Sequence, residues 1–353
     1  MEIRYPKHVD RDGNAYTGDW KQGKKFGRGK CEFASGNVYD GEWKDDKRHG
    51  RGIVTFPSGE LYDGYFKDDN YEGQGWWRDE HGSVYDGNWK ANKRDGRGVW
   101  NHMSGYVYDG DWKDDKQDGR GKLTWSDGNV YDGEWKDDKR HGRGIFTTTS
   151  GELYNGYFED NNYEGQGWWR DEHGSVYDGN WKANNRGGRG VWINISGDVY
   201  DGDWKDDRRH GRGVCEYSFG IVYDGNWEDN KKHGRGVWKD ANGDVYNGDW
   251  KHDKKDGRGM LTCANGEVLN GDWSNDIPTT APKSFLVPTH PYSHQSAVPV
   301  SYSTAVCPAS TISFVALQMK LTEGQNSSGN SIVMDRFAPL PGPPREGTVH
   351  VSL

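Results

Sequence analysis

The stretch YDGEWKDDKRHGRG occupies residues 39–52 and returns unchanged at residues 131–144. It contains paired acids, a Lys-Arg pair, a histidine and two close glycines, and these residue types also build metal and phosphate sites. The same letters could equally form a repeating structural unit. The alternation within the stretch and its recurrence along the chain distinguish the two possibilities.

Aromatic or small residues alternate with charged residues inside this stretch. Tyr39, Gly41 and Trp43 fall on one face of an extended strand, because successive side chains of a strand point to opposite faces. The polar residues 45–49 are too few for a helix and predict a solvated hairpin turn. The glycines that follow begin a second alternating segment, over which the rings can lie flat. The predicted packing residues of the two identical copies are Tyr39, Gly41, Trp43, Gly50, Gly52, Tyr131, Gly133, Trp135, Gly142 and Gly144.

The composition agrees with a thin aromatic core. The chain has 353 residues, a net charge of −9 and only 31% hydrophobic residues, yet it contains 52 Gly, 18 Trp and 20 Tyr. Aliphatic side chains are too sparse to fill a thick core, while so many aromatics are not typical of a disordered chain. The four cysteines lie far apart and show no CxxC pairing, so we expect neither a disulfide framework nor a cysteine zinc site. Because a reducing compartment fits such a pattern best, we expect a cytoplasmic location.

Repetition with a period of 23 residues sets the domain organisation. A glycine recurs at this spacing from Gly13 to Gly266, which gives eleven complete units and a partial twelfth that stops near Trp273. We predict an all-β fold, an elongated single-layer antiparallel sheet of tandem β-hairpins. The predicted segments are an N-terminal lead (1–12), the repeat array (13–273) and a largely disordered tail rich in Ser, Thr and Pro (274–353).

The repeated core resembles the MORN repeat (membrane occupation and recognition nexus). The resemblance rests on in-register copies of Y-x-G-x-W followed by H-G-x-G, such as residues 39–43 and 49–52, and it covers residues 13–273. It implies a single-layer sheet of successive hairpins. MORN arrays occur in plant phosphatidylinositol-phosphate kinases, a lysine methyltransferase, junctophilins, radial-spoke proteins and protozoan cytoskeletal scaffolds, so the resemblance does not fix one function.

The third and seventh units depart from the repeat by adding aromatic residues. Tyr-Phe pairs replace the acid-Trp pair, and Trp-Trp pairs follow the glycines. These rings either form a surface for a protein partner or reflect local repacking copied by internal duplication. The candidate aromatic patch comprises Tyr65, Phe66, Trp76, Trp77, Tyr157, Phe158, Trp168 and Trp169.

Basic pairs recur at one position of the repeat and suggest a second surface. A column of them along one edge of the sheet could attract anionic phospholipid. Acids directly precede most of the pairs, however, and the net acidity of the array argues against nucleic acid. The candidate lipid-facing basic column comprises Lys47, Arg48, Lys93, Arg94, Lys139, Arg140, Arg208, Arg209, Lys231, Lys232, Lys254 and Lys255.

The sequence offers no evident catalytic or cofactor site. The histidines at one repeat position (His49, His141, His210 and His233) would stand about 9–10 Å apart in neighbouring hairpins, too far to share one metal ion. The Asp-Asp pairs lack the spaced oxygen ligands of an EF-hand. The glycines open a strand rather than a helix, unlike a phosphate-binding loop. We therefore expect no enzyme activity, no metal and no cofactor.

Three functional hypotheses follow. The first is a non-enzymatic scaffold for protein partners in cytoskeletal, ciliary or membrane-adjacent assembly, with homodimerisation left open. The second is a peripheral membrane module that binds anionic phospholipid such as phosphoinositide. The third is an accessory repeat domain related to phosphatidylinositol-4-phosphate 5-kinases, without the catalytic domain.

Overall fold

A single open antiparallel sheet of 25 strands forms the described part of the protein. The computed structural model describes residues 7–279, and this part of the chain contains no helix. Each strand pairs only with the strands directly before and after it in the chain. The predicted all-β, single-layer sheet of tandem hairpins is therefore confirmed. The predictions made for the tail beyond residue 279 lie outside the described residues.

The strands follow one another with nearly constant lengths. They are β1 (His8–Val9), β2 (Ala15–Lys21), β3 (Lys24–Glu32), β4 (Val38–Lys44), β5 (Lys47–Thr55), β6 (Leu61–Lys67), β7 (Asn70–Arg78), β8 (Val84–Lys90), β9 (Lys93–Asn101), β10 (Val107–Lys113), β11 (Lys116–Thr124), β12 (Val130–Lys136), β13 (Lys139–Thr147), β14 (Leu153–Glu159), β15 (Asn162–Arg170), β16 (Val176–Lys182), β17 (Asn185–Ile193), β18 (Val199–Lys205), β19 (Arg208–Glu216), β20 (Val222–Glu228), β21 (Lys231–Lys239), β22 (Val245–Lys251), β23 (Lys254–Thr262), β24 (Val268–Ser274) and β25 (Ile277–Pro278). Both ends of the sheet extend past the predicted array, because β1 pairs with β2 and β25 pairs with β24.

The turn within each hairpin is shorter than the sequence suggests. Only Asp45 and Asp46 lie outside the strands of the hairpin β4–β5, with φ angles of 51° and 69°. Two successive residues with positive φ define a type I′ turn, whose twist matches that of the flanking strands. Lys47 to His49 belong to β5, so the prediction of a turn over residues 45–49 was wrong.

The glycine that marks the 23-residue period lies in the turn between hairpins. Gly59 follows β5 with a φ of 92°, and its N–H donates to the carbonyl of Phe56 at 3.0 Å. A Cβ at Gly59 would meet no atom within 4 Å. The backbone conformation, which L-residues with a side chain rarely adopt, therefore accounts for glycine here.

The core of each of the eleven complete hairpins consists of a tyrosine lying over two paired glycines. Tyr39 is fully buried, Gly41 pairs with Gly52 across the strands, and a Cβ on Gly52 would lie 2.5 Å from Cε2 of Tyr39. The Tyr39 hydroxyl donates to the carbonyl of Glu42 at 2.8 Å. In the second identical copy, Tyr131 lies in the same way over Gly133 and Gly144. Close backbone approach under a ring thus explains these glycines.

Trp43 connects its hairpin to the preceding one. Its indole N–H donates to the carbonyl of Gly29 at 2.9 Å, and its ring meets Tyr16 and Tyr39 edge-on at centroid distances of 5.4 and 5.1 Å. Trp135 makes the equivalent bond to its preceding hairpin. Edge-to-face contacts of this kind are favourable beyond their buried area. A continuous aromatic column therefore stabilises the single layer.

Gly50 does not share the aromatic face with Gly52, contrary to the sequence interpretation. The register shifts between Gly41 and Trp43, so β5 carries a bulge opposite β4. Gly50 has a φ of 61°, and a Cβ there would run into the carboxylate of Glu42. The corresponding glycine of the second copy, Gly142, likewise faces Glu134 rather than Tyr131. These glycines serve the bulge rather than the ring packing.

Candidate functional site

The described sheet presents two chemically different faces. The aromatic face carries the buried tyrosines and tryptophans of the hairpins, such as Tyr39 and Trp43. The polar face carries charged residues such as Arg51, whose guanidinium lies 2.9 Å from the carboxylate of Asp63 in the next hairpin. Each residue of the candidate basic column and the candidate aromatic patch is therefore assigned below to one of these faces.

The predicted basic column divides between these faces, because the two members of each pair are consecutive in a strand. The first members project at the row of type I′ turns, which we call the turn edge. The second members lie over the rings of the aromatic face, so the twelve residues do not form one basic surface. The first members are Lys47, Lys93, Lys139, Arg208, Lys231 and Lys254; the second are Arg48, Arg94, Arg140, Arg209, Lys232 and Lys255.

The second members are part of the packing. The guanidinium of Arg94 lies 4.1 Å from the centroid of the Trp112 ring, and its Nε donates to Asp115 at 3.2 Å. Its side chain is only 22% exposed. Burial also lowers the pKa of Lys232 and Lys255. Such cations stabilise neighbouring hairpins through cation–π contacts and are not free for a lipid headgroup.

The first members are largely neutralised by the next turn. Lys93 lies 3.0 Å from the carboxylate of Asp114, and Lys139 lies 3.3 Å from that of Asp160. The hydrogen bond between Lys93 and Asp114 raises the pKa of the amine and lowers that of the carboxyl. Alternating charges along the turn edge therefore cancel at short range.

The candidate aromatic patch also divides between the faces. Tyr65 is 47% exposed on the polar face, whereas Phe66 is buried on the aromatic face. Trp76 pairs across the strands with Asp63, and Trp77 pairs with Tyr62. The eight predicted residues therefore contribute to two surfaces instead of one. Tyr157 and Trp168 repeat the polar-face arrangement, and Phe158 and Trp169 repeat the aromatic-face arrangement.

On the polar face, a shallow groove of about 260 Å³ lies beside Tyr157 and Trp168. The Arg143 guanidinium lies 5.0 Å from the Tyr157 ring centroid, and its Nε donates to the Tyr157 hydroxyl at 2.8 Å. Arg51 lies over Tyr65 in the same way, at 5.6 Å. These contacts fix the added tyrosines beside arginines on the polar face.

Two larger grooves open on the aromatic face. One of about 590 Å³ is lined by Trp125, Trp135, Phe146 and Arg140. The other, of about 470 Å³, is lined chiefly by Tyr163, Trp169, Trp181, Trp192 and Arg186. Both combine large rings with a cation, and carboxylates lie at their rims.

The sequence interpretation missed part of these grooves because it compared adjacent residues. Trp169 and Trp192 stand 23 residues apart, at the same position of successive repeats. Trp77 and Trp100 also occupy this position and stack at 5.8 Å. This position carries Trp in five of the eleven complete hairpins, and the fifth is Trp238. A comparison of equivalent positions in successive repeats would have shown this.

The four histidines predicted to be solvated turn residues lie in the second strand of their hairpins. The Nδ1 atoms of His49, His141, His210 and His233 are enclosed and have no hydrogen-bond partner within residues 7–279. Three of the four belong to no cluster of three or more potential metal ligands in that part of the chain. His233 lies in a cluster with Glu228 and His252.

The chain belongs to the MORN repeat family. The family's model matches ten segments that together span more than half of the chain: residues 16–38, 39–60, 62–83, 85–101, 108–130, 131–152, 177–199, 200–218, 223–245 and 246–268. The hairpin β14–β15 falls in a gap between these segments, yet its strands and glycine pairing repeat those of its neighbours. A sequence comparison with curated proteins finds no match.

Solved structures with partial similarity include TCP and TCP10 domains. The TCP10 domain of Danio rerio CPAP is 13% identical over 68% of this chain and 96% of that chain, with a TM-score of 0.30. The same domain with a peptide of Danio rerio STIL is 12% identical over 75% and 96%, with a TM-score of 0.26. The Drosophila melanogaster SAS-4 TCP domain, in complex with a proline-rich motif of Ana2, is 11% identical over 44% and 85%, with a TM-score of 0.28. At these TM-scores the alignments establish neither a shared architecture nor a shared function.

Proposed function

We propose that this MORN-repeat protein is a non-enzymatic scaffold that binds protein partners along its aromatic face. The observation that supports this proposal is the pair of grooves in which exposed parts of tryptophan rings lie beside arginines and carboxylates. Tryptophan, tyrosine and arginine contribute disproportionately to protein–protein binding energy. The partner that fits is an extended segment that combines apolar side chains with charges of both signs.

The cation in the second groove is already held in place by neighbouring side chains. Arg186 is held by Asp207, whose Oδ1 accepts from Nε at 3.1 Å, and lies 4.3 Å from the centroid of the Trp204 ring. The groove therefore needs little side-chain ordering when a partner binds, which lowers the entropic cost of association.

Affinity capture from the native cell, followed by binding of the captured partner to purified variants, tests this function. Trp169→Leu combined with Trp192→Leu removes two rings from one groove. Leu123 occupies the equivalent position elsewhere, so we expect the fold to be kept. Trp168→Lys is the matched control on the polar face, because Lys122 is native at its position. We expect at least a tenfold weaker affinity for the double variant and unchanged affinity for the control. Equal affinities of all three proteins would contradict the proposal.

Binding to anionic phospholipid is the second candidate function, and one local feature favours it. The turns that follow Lys231 and Lys254 begin with His252 and Asn275 instead of the acid found after Lys93 and Lys139. Lys231 and Lys254 thus face no carboxylate at the first position of the next turn. Within residues 7–279 no helix has the length and apolarity that a membrane crossing requires.

Co-sedimentation with vesicles tests this second candidate. Phosphatidylserine vesicles should retain the protein at low salt and release it as salt rises, and Lys231→Asp with Lys254→Asp should abolish retention. A protein that stays in the supernatant at low salt would remove this candidate. A cytoplasmic location, a role in cytoskeletal or ciliary assembly, homodimerisation and a relation to phosphatidylinositol-4-phosphate 5-kinases remain proposals.

A further inference from the structure

Two histidines and a carboxylate converge at the turn edge, away from both aromatic grooves. Oε2 of Glu228 lies 3.2 Å from Nδ1 of His233, and the His233 ring centroid lies 5.5 Å from that of His252. Each of the three side chains offers one ligand atom, and these atoms all lie within 4.8 Å of one another. Glu228 ends β20, His233 lies in β21, and His252 opens the turn between β22 and β23.

The combination occurs once in the array, although each position recurs every 23 residues. The position of Glu228 carries lysine in most hairpins, as at Lys44. The position of His252 usually carries Asp, and His252 is its only histidine. His210 shows the usual arrangement, since its Nδ1 faces Asp229 at 3.9 Å with no second histidine beside it. The three ligands therefore do not follow from the repeat.

The Glu228 carboxylate lies beside the His233 imidazole, but the contact does not have the geometry of a hydrogen bond. Acids at the equivalent position accept the backbone N–H of the next turn, as Glu72 does from Ala91 at 3.2 Å. Nδ1 of His233 is enclosed and makes no hydrogen bond within residues 7–279. A buried nitrogen without a hydrogen bond is costly, and coordination would satisfy it.

We propose that Glu228, His233 and His252 form a binding site for a divalent transition metal ion, with Zn²⁺ as the reference ion. Two imidazoles and one carboxylate suit Zn²⁺, and three protein ligands leave a fourth position for water. Tetrahedral bonds of about 2.1 Å place ligand atoms about 3.4 Å apart, so the widest pair would close by at most about 1.4 Å. Rotation of the exposed Glu228 and His252 side chains can supply that movement.

The bound ion would join neighbouring hairpins. Glu228 and His233 belong to β20–β21, whereas His252 belongs to β22–β23, so the ion would add a connection on the turn edge. The two hairpins already meet there, because the Lys232 N–H donates to the carboxylate of Asp253 at 2.8 Å and the Asp253 N–H donates to the carbonyl of Lys232 at 3.0 Å. Lys231, which pairs with Glu228 across the turn, places a positive charge beside the site and limits the affinity.

Isothermal titration of the full, tag-free chain with Zn²⁺ in a non-chelating buffer tests the site. We expect one equivalent to bind to the wild type, and at least a tenfold loss of affinity in both His252→Ala and Glu228→Lys. Both variants introduce residues that are native at the equivalent positions, Ala91 and Lys44, so the hairpins should fold. His210→Ala is the matched control, and its affinity should equal that of the wild type.

Co²⁺ in place of Zn²⁺ identifies the ligand type, because a thiolate-to-metal charge-transfer band would reveal cysteine coordination. We expect d–d bands without that band. Wild-type affinity in both His252→Ala and Glu228→Lys would overturn the proposal. So would an equal loss in His210→Ala or a strong thiolate band, since each would place the metal elsewhere.

Discussion

The tryptophan that connects successive hairpins allows a quantitative test of the fold. Trp135 is 6% exposed, and its indole N–H donates to the carbonyl of Gly121 at 3.0 Å. Trp135→Phe removes this donor but keeps a ring, as Phe66 and Phe158 do at equivalent positions. A buried acceptor that loses its partner costs about 1–3 kcal/mol. We therefore expect this loss in the local free energy of unfolding at β11–β12.

Trp135→Ala separates the hydrogen bond from the ring packing. Removing the whole ring from a core costs about 3–5 kcal/mol, so alanine should be clearly worse than phenylalanine. Each hairpin contacts mainly its neighbours, and such arrays open locally. Hydrogen exchange of the backbone amides in β11 and β12 is thus the appropriate assay, and the phenylalanine variant should exchange about fivefold to 150-fold faster there.

Trp168→Phe is the control, because it removes an indole N–H that donates no hydrogen bond within the described residues. Its exchange rates in β15 should stay within about threefold of the wild type. The reasoning fails if Trp135→Phe matches this control, which would mean that the bond to Gly121 contributes nothing. It also fails if phenylalanine and alanine at position 135 are equally destabilising.

Two further predictions concern the tyrosine–glycine core. Gly144→Ala should cost about 1–3 kcal/mol, because its Cβ would lie 2.6 Å from Cζ of the buried Tyr131, whereas Gly151→Ala meets no atom and should cost about 1 kcal/mol for its positive φ. Thermal unfolding should rank the two variants in that order, and the reverse order would exclude ring overlap as the cause. Burial raises the pKa of Tyr16 and Tyr246 to about 12. Because the folded-state pKa exceeds the unfolded value of 10, this stabilisation is complete below pH 10 and is lost as pH rises through about 12. Phenolate absorbance and circular dichroism should therefore change together above pH 10, and a phenolate transition of all tyrosines at pH 10 in a folded protein would contradict this.

The fold could be predicted because the 23-residue period and the alternation within each strand can be recognised from the identity of single residues. The alternation of Tyr39, Gly41 and Trp43 specified the aromatic face, and the 23-residue spacing specified the tandem hairpins. The turn length and the bulge could not be predicted in the same way. A polar residue such as His49 suits a turn or an exposed strand equally, and Gly50 suits ring packing or a bulge equally.

The composition of the candidate surfaces was harder to predict than the fold, because residues adjacent in the sequence were assigned to one surface. Arg48 follows Lys47 in the same strand, so the two must point to opposite faces. Alternation alone could have shown this. The cluster around His233 is different, because it joins three positions of the repeat. Its assembly depends on the offset between neighbouring hairpins, and the 23-residue period of the sequence does not specify that offset.

The hydrogen bonds between hairpins indicate where the array can vary without losing its register. Asp69, the second turn residue of its hairpin, donates its N–H to the carbonyl of Arg48 and accepts the N–H of Arg48, both at 3.0 Å. The same pair of bonds recurs along the sheet with Asp or Asn at that turn position. Register is therefore fixed at the turn edge by backbone and a short polar side chain.

The position of Val54 has no such constraint. It lies opposite the core tyrosine and carries Cys, Val, Leu, Phe or Trp in different hairpins, all compatible with the same backbone. The residue at this position lines the neighbouring groove, as Phe146 and Trp169 do. Since register and groove shape depend on different residues, substitutions at this position can change the groove without changing the sheet. This separation explains how one regular fold can present a different surface at each point along its length.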